Sequence, residues 1–208
     1  LLIRNLLVET HYPENSWTMS EDGSPSRPYD LATHTMFEFM GVKVDAFGSQ
    51  ADGDFERLMV LENIDGKYEA GNEGYIIDGR LNNSYMAANL LLAEGVKMLR
   101  MDKAAGPGQP GDFVIRKADP GLIENVAKKT GVDFKPLDAI PDHGVHELEL
   151  KRLALFQRFD GGNMDEGWTR LCFENFEFPY HSLMGREVKE GNLKKNWDVI
   201  VIPDDSPA

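Results

Sequence analysis

The chain has 208 residues, of which 41% are hydrophobic, so it can bury a core in one or two domains. Its 35 acidic and 22 basic residues give a formal net charge of −13, which argues against binding to a phosphate backbone. The single cysteine excludes an internal disulfide and a zinc site built from several thiolates, and no apolar run is long enough to span a membrane.

Residues 1–74 are the least regular part of the sequence, and we predict a separate N-terminal segment there. Residues 11–29 are rich in Pro, Ser, Asp and Glu, a composition typical of a long loop. Asp30 can cap a helix that continues to Met40. Further on, Asp65 and Gly66 predict the turn of a β-hairpin, so the segment should contain a loop, one helix and a hairpin.

From residue 75 onward, strand and helix patterns alternate. Apolar strand patterns occupy residues 75–77, 96–101, 113–115 and 132–134. Asn82, Asn83 or Ser84 should cap a first helix, and Asp119 should cap a second one, with Pro120 at its first helical position. Gly131 should end that second helix, and the polar residues 138–149 predict an irregular connection.

The last third of the chain has the clearest order: strand, glycine turn, helix, strand, polar segment, strand. The first strand is predicted at 151–157, and 198–203 is an apolar, β-branched run typical of a strand covered on both faces. Asn163 can cap the helix between them. Helical spacing of apolar residues predicts that this helix buries one face, formed by Met164, Trp168, Leu171, Cys172 and Phe176.

Strands joined through helices are typical of a parallel sheet with right-handed crossovers. We therefore predict an α/β domain at 75–208, with a mostly parallel, doubly wound sheet of the flavodoxin-like kind. Such a sheet usually continues beyond the last strand seen here, so we expect it to be incomplete. Its ligand crevice lies at the carboxyl ends of the strands, where the candidate binding residues are Asp160, Asp165, Glu166 and Arg170.

His143 and His146 form the one compact cluster of potential metal ligands, together with Glu147 and Glu149. The stretch from His146 to Glu149 even satisfies the zinc-binding pattern H-x-x-E. A catalytic zinc also needs a third protein ligand, and a surface loop with two histidines explains the pattern more simply. We therefore assign no metal and no cofactor to this chain and keep the two histidines as weak candidates.

Nucleophilic catalysis has little support in the sequence. Cys172 lies inside a predicted helix rather than at a glycine-flanked elbow, so we expect a buried, inert thiol. Neither G-x-S-x-G nor G-x-G-x-x-G is present, and we assign no catalytic residue.

Several blocks of sequence resemble the C-terminal region of large bacterial zinc carboxypeptidase-family proteins. The most specific is M-D-E-G-W-T-R at 164–170. The other similar blocks are R-P-Y-D-L-A-T-H at 27–34, M-G-V at 40–42, Y-I-I-D at 75–78, N-N-S-Y at 82–85, N-L-L at 89–91, F-E-F-P-Y at 176–180, G-N-L at 191–193 and D-V-I-V-I-P at 198–203.

In such proteins a carboxypeptidase A-like catalytic domain carries the zinc, and the region resembled here follows it with a class I glutamine amidotransferase-like fold. The family's zinc ligands, substrate arginine and catalytic glutamate cannot be placed in this chain, and an amidotransferase nucleophile would lie beyond Ala208. The resemblance therefore implies a non-catalytic accessory region of a zinc metallocarboxypeptidase-like hydrolase, with the carboxypeptidase-like domain of the same parent chain as partner. It also suggests a secreted or periplasmic parent protein.

An alternative from a different class remains open. The crevice carboxylates and the two histidines would also suit an independent α/β module that binds a small ligand or a metal.

Overall fold

A computed structural model describes residue 7 and residues 13–26, 43–49, 52–57, 59–60, 64–71, 73–159 and 164–204. The chain divides into two compact units, 1–59 and 60–208. In the first unit, residues 13–26 fold back on themselves, because Met19 and Pro25 form an antiparallel bridge. The helix predicted after Asp30 lies outside the described residues.

The first half of the second unit is a five-stranded sheet with two helices. Its elements are β1 (Gly74–Ile77), α1 (Asn82–Ala93), β2 (Met98–Met101), β3 (Phe113–Arg116), α2 (Pro120–Thr130), β4 (Lys135–Leu137) and β5 (Val145–Leu148). The strand order is β4-β1-β3-β2-β5, and every neighbouring pair is antiparallel. The connectivity of β1 to β4 is that of the ferredoxin-like split βαβ arrangement, with β5 added at one edge.

These five strands are antiparallel, whereas the sequence predicted a mostly parallel sheet. β1 and β2 do run in the same direction, as a strand-helix-strand crossover requires, but β3 lies between them and runs the opposite way. β3 and β4 are likewise separated by β1. The alternation of strands and helices in a sequence does not show whether another strand is inserted between the two that a helix connects.

Burial on both faces explains why these strands have continuous apolar runs. One face packs against α1 and α2, where Ile77, Ile115 and Leu91 belong to the same buried cluster. The opposite face buries Ile76 and Val114, which pack with residues of the flanking loops rather than with helices. Continuous apolar runs usually indicate a parallel sheet, but loops that cover the second face of an antiparallel sheet produce the same pattern.

The signals at the ends of α2 are confirmed. The Asp119 carboxylate accepts a hydrogen bond from the Leu122 backbone N–H, with 2.9 Å between Oδ2 and N. Pro120 is the first helical residue, and Gly131 ends the helix in the left-handed region at φ 69°. These local signals correctly indicated both ends of the helix.

The helix α1 is confirmed, but its predicted cap is wrong. Its N-cap is Leu81, and no side chain caps the helix. The Asn83 side chain instead donates from Nδ2 to the Thr130 carbonyl oxygen over 2.7 Å. This hydrogen bond connects the start of α1 to the end of α2, so the asparagine side chain makes an interhelical contact instead of capping α1.

Two strands differ from the sequence prediction. β5 lies within the residues predicted as an irregular connection, where the pattern of an exposed edge strand is too polar to recognise. β4 follows the predicted strand at 132–134 rather than coinciding with it. Phe134 forms an isolated parallel bridge with Tyr68, so this part of the predicted N-terminal hairpin lies within the second unit.

The second half of this unit is a small parallel sheet. Its elements are β6 (Leu153–Gln157), α3 (Met164–Asn175), β7 (Tyr180–Met184), α4 (Gly185–Glu190), α5 (Leu193–Asn196) and β8 (Val199–Val201). The order is β7-β6-β8, and both neighbouring pairs are parallel. The predicted parallel strands at the two ends of this region are therefore confirmed as direct neighbours, although β8 is a partly exposed edge strand and not one covered on both faces.

An ion pair fixes the register of β6 and β8 where both strands begin. Arg152 donates from Nε and Nη2 to the two carboxylate oxygens of Asp198, over 3.0 and 2.7 Å. The Arg152 backbone N–H adds a third bond to the same carboxylate. These hydrogen bonds hold the pKa of Asp198 well below its usual range and place Leu153 opposite Val199.

Candidate functional site

The apolar stripe of α3 faces solvent, so the prediction that it is buried is wrong. Met164 is 81% exposed and Trp168 is 67% exposed, and Leu171 is also exposed. Cys172 is exposed as well, contrary to the predicted buried thiol. The stripe exists as the spacing predicted, but the helix presents a different face to the sheet.

The inward face of α3 consists of Glu166, Arg170 and Phe173. Glu166 is 3% exposed and is the one buried residue of this helix, which is described throughout. Its Oε1 lies 3.5 Å from Arg170 Nε, which partly offsets the cost of burying the carboxylate. The Phe173 ring packs at a tilt against the rings of Phe178 and Tyr180, with ring centroids 5.7 and 5.6 Å apart, and these contacts help to orient the helix.

Tyr180 links the end of α3 to the neighbouring strand. Its hydroxyl donates to Glu174 Oε1 over 2.8 Å. Burial raises the pKa of Tyr180, and the hydrogen bond to Glu174 raises it further. The phenol therefore remains protonated and acts as a structural hydrogen-bond donor.

Three of the four predicted crevice residues are described, and they do not share one side of α3. Asp160 lies outside the described residues. Asp165 is exposed at the start of α3, whereas Glu166 and Arg170 pair with each other on the inward face. Binding of a ligand at these residues stays a prediction.

The two candidate histidines lie on opposite faces of the five-stranded sheet. His146 lines a pocket on the helical face with Tyr85, and its Nδ1 is 2.9 Å from Asp102 Oδ1. His143 lines a smaller pocket on the other face and pairs with the adjacent Asp142. Among the residues described, no three His, Cys, Asp or Glu side chains are grouped so that they could hold a metal ion.

A pocket of about 480 Å³ lies between the five-stranded and the three-stranded sheets. α1 covers only part of the helical face near β2 and β5, and the segments around β6 and β8 close the remaining space. Its apolar walls are formed by Ala88, Leu92, Leu148, Leu153, Phe178 and Val199. A concave, mostly apolar site with a few polar groups is the usual form of a small-molecule site.

Arg100 is one of three charged residues that line this pocket, with Glu149 and Lys151. Its guanidinium carbon lies 4.0 Å from the ring centroid of Phe113 and 5.1 Å from that of Tyr85. Its Nη2 donates to the Tyr85 hydroxyl oxygen over 3.0 Å. His146 stands directly opposite Arg100 in the β2–β5 register, while Glu149 and Lys151 lie at the pocket and pair with each other.

Sequence reasoning missed this pocket, although one signal was present. Met98, Leu99 and Met101 are buried strand residues, and an arginine between them is unusual because charged side chains are rarely placed in such strands. The other lining residues come from five separate stretches of chain, so no local motif could reveal them.

No helix of the described residues is long and apolar enough to cross a membrane. No protein-family model, curated protein or solved structure matches this chain.

Proposed function

We propose that this chain is a non-catalytic accessory α/β region of a zinc metallocarboxypeptidase-like hydrolase. In this proposal the exposed stripe of α3, formed by Met164, Trp168 and Leu171, packs against the carboxypeptidase-like domain of the same polypeptide. The zinc belongs to that domain. The proposal joins the resemblance of the M-D-E-G-W-T-R block to one observation, the solvent exposure of the apolar residues that this block contributes.

Covering the exposed stripe would remove apolar surface from water and so favour a contact. A fully buried tryptophan removes about 150–250 Å² from water. Since Trp168 is 67% exposed, roughly 100–170 Å² of its surface remains available, and covering it would contribute roughly 2.5–4 kcal/mol. Contiguous exposed apolar residues of this kind are typical of a contact surface, although ordering and association costs reduce the net gain.

The strand order supports the same assignment of the fold. The order β7-β6-β8 corresponds to the first three strands of the flavodoxin-like order 2-1-3-4-5. In our proposal this small sheet is the beginning of a doubly wound, class I amidotransferase-like sheet, and α3 is one of its outer helices.

Oxidative footprinting of the natural polypeptide tests the proposal. The natural polypeptide should have a mass well above 23.4 kDa, and hydroxyl radicals should label Met164 and Trp168 less in it than in residues 1–208 alone. Residues 1–208 alone should not hydrolyse peptides.

Trp168→Glu should restore labelling of Met164 in the natural polypeptide, because a charge is costly in an apolar contact. Ile64→Glu is the matched control, since Ile64 is also an exposed apolar residue and gains the same charge. Equal labelling of Met164 in both polypeptides, or peptide hydrolysis by residues 1–208, would overturn the proposal.

A further inference from the structure

We propose that the pocket between the two sheets binds a small monocarboxylate with an apolar body, held through its carboxylate by Arg100. This inference concerns a different surface from the α3 stripe and does not depend on the proposed function. It follows from the charge balance of the pocket, the fixed position of the guanidinium and the chemistry of the walls.

Arg100 is not paired with an acidic side chain among the described residues, in a chain with a net charge of −13. A guanidinium has five N–H donors, and the described structure uses one of them for the Tyr85 hydroxyl. A half-buried arginine with several unused donors is suited to a bidentate oxyanion.

The guanidinium is held in place before a ligand binds. Phe113 packs against it at 4.0 Å, and the Tyr85 ring meets the Phe113 ring edge to face at 5.3 Å. Cation–π contacts and the hydrogen bond to Tyr85 restrict the side chain, so binding an anion costs little conformational entropy.

The walls of the pocket suit an apolar ligand body. Aliphatic side chains of Leu92, Leu148 and Leu153 and the ring of Phe178 form the walls. The volume of about 480 Å³ lies within the roughly 300–1,000 Å³ typical of small-molecule sites. An aliphatic chain of several carbons fits these walls, because they offer dispersion contacts and few hydrogen bonds.

The charged residues that line the pocket favour a ligand with a single negative charge. Arg100 supplies one positive charge, and Glu149 also lines the pocket, although Lys151 pairs with it at 3.4 Å. His146 is engaged with Asp102. Lys151 and Glu149 both line the pocket and together carry no net charge, so a dianionic phosphate monoester would meet no second net positive charge there.

Titration of the full 208-residue chain with heptanoate, followed by NMR or calorimetry, tests the inference. We expect saturable binding by about 10 mM, as the usual affinity per atom allows for a ligand of this size. 1-Heptanol, which has the same chain without the charge, should bind at least about tenfold more weakly, and heptyl phosphate should not bind more tightly than heptanoate.

Arg100→Gln should weaken heptanoate binding at least about tenfold, because it removes the charge-assisted hydrogen bonds. Arg116→Gln is the matched control, since it makes the same chemical change on an exposed strand residue outside this pocket. Val199→Trp should also weaken binding, because it fills the pocket from the edge strand and leaves Arg100 in place.

Several results would overturn the inference: no saturation at 10 mM, equal binding of 1-heptanol, tighter binding of heptyl phosphate, or unchanged affinity in Arg100→Gln. If circular dichroism shows that Arg100→Gln does not fold, the comparison of heptanoate with 1-heptanol and the Val199→Trp variant decide the question. Failure of heptanoate to bind would not change the hydroxyl-radical labelling of Met164 and Trp168. The pocket proposal and the accessory-region proposal can therefore fail independently.

Discussion

The orientation of α3 can be tested by truncating two methionines that both lie in apolar sequence patterns. Both Met98 and Met164 belong to apolar patterns, but Met98 is 1% exposed in the core of the five-stranded sheet, whereas Met164 is 81% exposed. A buried Met→Ala change costs about 2–5 kcal/mol, because the lost transfer energy and the cavity add together. About one fifth of Met164 is buried, so its truncation should cost roughly 0.3–0.6 kcal/mol, reduced further by the higher helix propensity of alanine.

Urea unfolding of the 208-residue chain, followed by far-UV circular dichroism, measures both changes. Because the two methionines lie in different halves of the unit, Leu155→Ala serves as a control for the parallel sheet, where Leu155 is fully buried. Leu155→Ala should cost about 2–5 kcal/mol. If Met164→Ala costs more than about 2 kcal/mol, the stripe is buried in this chain, and the reasoning from its exposure is refuted.

Two further predictions concern helix capping and acid stability. Asp119→Ala should lower the free energy of unfolding by about 1 kcal/mol, because Asp119 caps α2. Asn82→Ala should change it by less than about 0.5 kcal/mol, because Leu81 occupies the N-cap of α1. Urea unfolding midpoints in the reverse order would contradict the assigned caps. The side-chain hydrogen bonds from Arg80 lower the pKa of Asp78 from its ordinary 3.8 to about 2. The stabilising contribution of this carboxylate is therefore present above about pH 4 and is lost as the pH falls to about 2. Asp78→Asn should therefore flatten the decrease of the melting temperature across that pH range, and an unchanged decrease would show that the pair contributes nothing.

The sequence determined the features that depend on neighbours along the chain. Asp119, Pro120 and Gly131 fixed both ends of α2 because capping and left-handed glycine conformations act within a few residues. The periodicity of α3 correctly identified which of its residues share a face. The apolar runs at 153–157 and 199–201 correctly predicted two parallel strands, since a strand-helix-strand crossover constrains their direction.

The tertiary structure decided how these elements are placed relative to one another. Only long-range pairing put β3 between β1 and β2 and made that sheet antiparallel. Only tertiary packing, including the contacts of Phe173 with Phe178 and Tyr180, turned the apolar stripe of α3 outward and a carboxylate inward. Likewise, only folding brought Arg100 to a pocket whose walls come from distant stretches of chain. The physical reason is that local sequence sets backbone conformation and side-chain spacing, whereas the face that becomes buried depends on which distant side chains can pack against it.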